Sequence, residues 1–157
     1  MPFTGPIEDR LAIREMYDTY GDGANRMDRA IWLSVWAEDA VWKTHYFEQS
    51  GIAAIGAQYD ALMAPVTATT FFTQLGSIEV SGDTARASAT CQERLMMPGG
   101  SFRLTGRNDD DLVKRGGRWL ILRRTYHVMI EEAPGVGEVV GEVVGEVVGE
   151  AVGEVVS

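Results

Sequence analysis

Residues 67–131 read TATTFFTQLGSIEVSGDTARASATCQERLMMPGGSFRLTGRNDDDLVKRGGRWLILRRTYHVMIE, and the fold is decided by where this stretch breaks. Ser81-Gly82-Asp83, Pro98-Gly99-Gly100 and Gly116-Gly117 are three short turn signals, because Gly and Pro supply the backbone angles that tight reversals need. Between them lie four runs, 67–80, 84–97, 101–114 and 118–131, rich in the β-branched and aromatic residues that suit a pleated surface. Short reversals make consecutive strands antiparallel neighbours. Runs this long, against a usual strand of roughly 5–6 residues, must twist, bend or bulge.

The residues before this meander read as helices. From Pro6 to about Arg26, the residues Ile7, Leu11, Ile13, Met16, Tyr17 and Tyr20 form a broad apolar face at helical spacing. Asp28 is placed to N-cap a short second helix carrying Ile31, Trp32, Val35 and Trp36. A strand is expected over 40–46, then a third helix over 51–63 stopped by Pro65. Helices first and strands last is an α+β arrangement, here a cone-shaped, strongly curved antiparallel sheet packed against three N-terminal helices. A cone of that kind can hold a ligand, and a small hydrophobic molecule is the expected partner.

On the last strand, strict alternation puts Trp119, Ile121, Arg123, Thr125, His127 and Met129 on one face. Leu120, Leu122, Arg124, Tyr126, Val128 and Ile130 fall on the other. Apolar residues on both faces imply a cover for each, and the simplest second cover is another copy of the chain, a homodimer. The fold is expected to occupy residues 1–132. Residues 133–157 repeat Gly-Glu-Val-Val with glycines at 137, 141, 145, 149 and 153, a tail expected to stand apart from the domain.

A formal charge of −9 over 157 residues argues against nucleic acid as a partner. No run of 18 apolar residues is present and MPFTGPIEDR has no signal-peptide character, so no membrane association and a cytoplasmic location are expected. The lone Cys91 suits a reducing compartment and reads as a small core hydrophobe. No phosphate loop, dinucleotide fingerprint, GxSxG, HExxH or CxxC pair occurs, and there are only two histidines. No cofactor and no metal are therefore expected. The candidates for chemistry are polar residues set among apolar ones: His45 and His127 as acid or base, Asp22 as an orienting or alternative carboxylate, and Tyr20, Asn25, Trp42, Phe71 and Arg123 as ligand contacts.

The series Ile7-Glu8 to Tyr20, Asn25-Arg26-Met27-Asp28 to Trp32, Trp36 to Trp42, Ile78 to Ala85, and Gly116 to Ile121 resembles the nuclear-transport-factor-2-like (NTF2-like) superfamily, and within it the polyketide-cyclase-like (SnoaL-like) and scytalone-dehydratase-like group. The resemblance implies a cofactor-independent lyase or isomerase acting by proton transfer on a small cyclic or aromatic compound. It also implies an alternative: a non-catalytic binding domain or accessory subunit of the same fold. Enzymes of this group pair a helix-borne aspartate with a strand-borne histidine. In this chain those positions fall on Asn25 and Phe71, neither of which can move a proton as the dyad does.

Overall fold

The computed structural model describes residues 2–133; residues 134–157, nearly all of the expected tail, lie outside them. Helix α1 (Ile7–Arg26) buries Ile13, Met16, Tyr17, Tyr20 and Gly23, a stripe at i, i+3, i+4, i+7 and i+10. Ile7 and Leu11 were expected on that stripe but are 68% and 56% exposed. Leu11 lies two residues from Ile13, roughly 200° around the helix, so one face cannot hold both. The helix stops where Met27 turns left-handed, at φ 54. Asp28 then caps α2 (Arg29–Leu33), its Oδ1 accepting from the Ile31 N–H at 3.0 Å, a contact worth about 1 kcal/mol. A Cβ at Gly23 would meet the Trp32 backbone nitrogen at 2.6 Å, so only glycine lets the two helices touch and Trp32 reach the core.

The four long strands are β4 (Ala68–Ser81), β5 (Thr84–Met97), β6 (Gly100–Arg115) and β7 (Arg118–Glu132), paired antiparallel in sequence order. Their ends fall within one or two residues of the expected runs. Three shorter strands complete the sheet: β1 (Phe3–Thr4), β2 (Trp36–Lys43) and β3 (Glu48–Ser50), with α3 (Ile52–Met63) following. The order is β1-β4-β5-β6-β7-β2-β3. Strand β2 lies parallel to β7 and β1 parallel to β4, which makes the sheet mixed rather than wholly antiparallel. These pairings join segments far apart in sequence, and no local turn announces them.

Two irregularities on β7 decide which side chains face the helices. Pairing with β6 passes from Leu112↔Ile121 to Asp111↔Arg123, skipping Leu122, and from Gly106↔Val128 to Thr105↔Ile130, skipping Met129. Each extra residue inverts the alternation. The inner face therefore carries Trp119 and Ile121, then Arg124, Tyr126 and Val128, then Glu131. Arg124 is 1% and Glu131 3% exposed, while Arg123 and His127, expected beside Trp119, lie outside on the exposed face. Along β7 the outer face thus runs Leu120, Arg123, Thr125, His127 and Ile130, so three polar residues interrupt the apolar second face used to argue for a homodimer.

Candidate functional site

Between the inner face of the sheet and the helices lies a cavity of about 180 Å³. Its walls are aromatic: Tyr20 from α1, Trp32 from α2, Trp42 from β2, Tyr59 from α3 and Phe71 from β4. Trp32 links most of them, with ring centroids 4.6 Å from Tyr59, 5.3 Å from Tyr20 and 5.4 Å from Trp42. The strands supply the polar lining: Cys91 and Glu93 from β5, Asn108 from β6, Arg124 and Tyr126 from β7.

Arg124 is the largest side chain that is fully buried. Its Nε bonds Asp110 Oδ1 at 3.0 Å and its Nη2 bonds Oδ2 at 2.7 Å, with Tyr17 donating a further bond to Asp110. Cross-strand pairing Asp110↔Arg124 sets this fork, and the Tyr20 ring packs on the guanidinium at 4.4 Å. The cation's charge is met, yet its buried Nη1 has no hydrogen-bond partner among the described residues.

Glu93 has no such counter-ion. It pairs with Phe71 and Leu104 across the sheet, and its one hydrogen bond among the described residues is a loose 3.3 Å contact donated by the Tyr126 hydroxyl. Removal from water pushes its carboxyl up to about 7, opposed by the hydrogen bond from Tyr126. The same burial pushes the Tyr20 hydroxyl and the Cys91 thiol each up to about 12. At neutral pH the phenol is a neutral donor and the thiol is inert. Gly106 makes the Tyr126 contact possible: a Cβ there would sit 2.3–2.4 Å from the Tyr126 ring.

Of the residues expected at the site, Tyr20, Trp42 and Phe71 line the cavity. Asn25 does not. Its amide nitrogen donates to the Phe71 carbonyl at 3.0 Å and its Oδ1 accepts from the Phe71 N–H at 2.7 Å, so it clamps the open edge of β4 and holds Phe71 inward. Asp22 sits on the exposed side of α1 in an ion pair with Arg26 at 2.8 Å. His45 is exposed at the tip of the β2–β3 turn, stacked on Tyr46 at 3.7 Å. His127 meets Asp109 at 3.2 Å on the outer face, and Arg123 shares that face because of the irregularity at Leu122. The inward arginine is its neighbour, Arg124. Glu93 belongs, with Arg123 and His127, to the polar residues set among apolar ones on the later strands, and its alternation with Cys91 and Leu95 puts it inward; nothing in the sequence set it apart from them as the base. Among the described residues no group of three or more His, Cys, Asp or Glu side chains is arranged to hold a metal ion.

A half-wrapped sheet around an aromatic-walled cavity, lined by one carboxyl without a counter-ion among the described residues, defines a small α+β pocket protein. The chain belongs to the family of the SnoaL-like domain, whose model matches residues 6–125. Among solved structures it is similar to a proposed aromatic ring hydroxylase from Novosphingobium aromaticivorans DSM, at 24% identity over 80% of this chain and 92% of that one, with TM-score 0.75. It is also similar to a proposed scytalone dehydratase from Novosphingobium aromaticivorans DSM 12444 (16% identity, 88% and 95% covered, TM-score 0.76). A third is a type 2 hexachlorocyclohexane dehydrochlorinase (18% identity, 88% and 96% covered, TM-score 0.73). At these identities the likeness shows the fold. No curated protein sequence matches the chain.

Proposed function

We propose that this chain is a cofactor-independent lyase or isomerase that moves a proton on a small cyclic compound, with Glu93 as the base. The observation that carries this reading is a carboxyl without a counter-ion in an aromatic cavity, its pKa brought up to about 7 by loss of water. A base poised near the working pH combines the right protonation state with driving force for the transfer. Glu93 takes a proton from carbon beside a carbonyl. The electron pair moves onto the carbonyl oxygen, and the Tyr20 hydroxyl with the unpartnered Nη1 of Arg124 supports the negative charge formed there. Return of the proton to another carbon completes an isomerisation; loss of a β-substituent completes an elimination.

The size of the cavity sets the scale of the ligand. Engineered cavities on the order of 150 Å³ accommodate benzene, so about 180 Å³ suits one substituted six-membered ring. The test is deuterium exchange at the α-carbons of cyclohexanone in D₂O. Exchange should depend on the protein, rise with pH to a plateau above about 7, and fall by roughly 10²–10⁴ in Glu93→Gln. A rate unaffected by that substitution removes Glu93 from the chemistry.

The alternative, a binding domain without turnover, is favoured by one observation. Asn25 and Phe71, at the positions where relatives of this fold carry their acid–base pair, are engaged with each other through Asn25's side chain and Phe71's backbone. That reading predicts retention of cyclic ketones with no exchange at any pH.

A further inference from the structure

A second phenol–carboxyl pair stands at the other side of the same cavity. Tyr46 lines it, and its hydroxyl donates to Glu131 Oε2 at 3.1 Å. Glu131 is 3% exposed and shares an inner-face row with Glu93 through the pairings Glu93↔Leu104 and Leu104↔Glu131. One strand, β6, separates them, so their backbones are two strand spacings apart, roughly 9–10 Å. The tyrosine is fixed by its turn: Thr44 Oγ1 accepts from Tyr46 N–H at 2.9 Å and Phe47 N–H at 3.1 Å, and the Phe47 ring stands edge-on to Trp42 at 4.9 Å.

We infer that Tyr46 and Glu131 form a ligand subsite, and that it takes a hydroxyl carried across the ring from the carbonyl carbon while rejecting a carboxylate there. Each phenol has committed its one proton to a carboxyl, Tyr46 to Glu131 and Tyr126 to Glu93. What Tyr46 offers the cavity is a lone pair, an acceptor that an incoming O–H satisfies and an incoming carboxylate does not. Glu93 lines the space and Glu131 stands behind Tyr46, whereas Arg124 lies against Tyr20 with Asp110 as its counter-ion, so an anion placed at Tyr46 meets carboxyls and, among the described residues, no cation of its own. The ligand class is a neutral single-ring ketone with a hydroxyl at the far carbon. This deepens the function proposed above and rests on its placement of the reacting carbon at Glu93.

The experiment compares binding of three probes of similar size, 4-hydroxycyclohexanone, 4-methylcyclohexanone and 4-oxocyclohexanecarboxylate, by quenching of tryptophan fluorescence or by calorimetry at pH 8. The hydroxy ketone should bind about fivefold more tightly than the methyl ketone, the worth of one net hydrogen bond, and the carboxylate at least about tenfold more weakly than either. Tyr46→Phe should bring the first two within twofold of each other. Glu131→Gln, which keeps an acceptor for the Tyr46 proton, should preserve the hydroxyl preference and relax the rejection of the carboxylate. Thermal unfolding of both variants checks that they remain folded. Equal affinity for the carboxylate, or a hydroxyl preference that survives Tyr46→Phe, overturns the subsite. If the methyl ketone binds and exchanges its α-protons with no hydroxyl preference, only this inference fails; if none of the three binds, the proposed function fails with it.

Discussion

Replacing Glu93 by glutamine should make the protein's stability respond to pH in a way that isolates one carboxyl. The folded chain holds the Glu93 proton up to about pH 7, whereas a glutamate in water releases it near 4.5. Because the folded value is raised, the folded state binds more protons across that window, and stability falls as pH rises from the unfolded value to the folded one. The loss is complete above about 7 and reaches at most about 3 kcal/mol. Glutamine fills the same space and keeps an acceptor for Tyr126 without carrying the charge. Urea unfolding of both proteins at pH 5 and pH 8 gives four free energies. The advantage of Glu93→Gln over the parent should be larger at pH 8 by about 2–3 kcal/mol, with contributions from other titrating groups cancelling in the comparison. An advantage that is the same at both pH values would refute the claim that this carboxyl is desolvated.

Three other substitutions test the supporting structure. Gly106→Ala drives a methyl into the Tyr126 ring, so it should cost about 1–3 kcal/mol, and separating Tyr126 from Glu93 should raise the midpoint of the exchange–pH profile. Asn25→Asp sets a carboxylate oxygen against the Phe71 carbonyl where an amide N–H now donates; thermal melts at pH 7 should show a loss of about 1–2 kcal/mol, partly recovered in acid as the side chain regains a proton. Asp110→Asn strands the buried Arg124 cation and should cost about 3–5 kcal/mol in urea unfolding, far more than the exposed pair Asp22–Arg26 would on removal of Asp22.

Local signals in the sequence found the elements well. Three glycine-bearing turns separated the four long strands, Asp28 marked the start of α2, and Pro65 marked the end of α3. Two kinds of information stayed hidden. The parallel pairing of β2 with β7 joins residues far apart in the chain, and the irregularities at Leu122 and Met129 exchange inside for outside without any glycine or proline to announce them. That exchange is why Arg123 and His127 seemed inward and Arg124 did not. The candidate site was legible as an aromatic wall of Tyr20, Trp42 and Phe71, because large apolar residues on known faces must pack somewhere. Its acid–base group was not, since the pKa of a glutamate depends on the solvent it has lost, and that is a property of the folded surroundings.

The most direct measurement is a titration of the Glu93 side chain itself, by following the carboxyl carbon resonances of protein labelled with ¹³C glutamate and assigning Glu93 by its disappearance in Glu93→Gln. A midpoint near 7 is the expected result. A midpoint near the ordinary glutamate value of 4.5 would mean that water reaches the group freely, and Glu93 would then be no base for neutral pH.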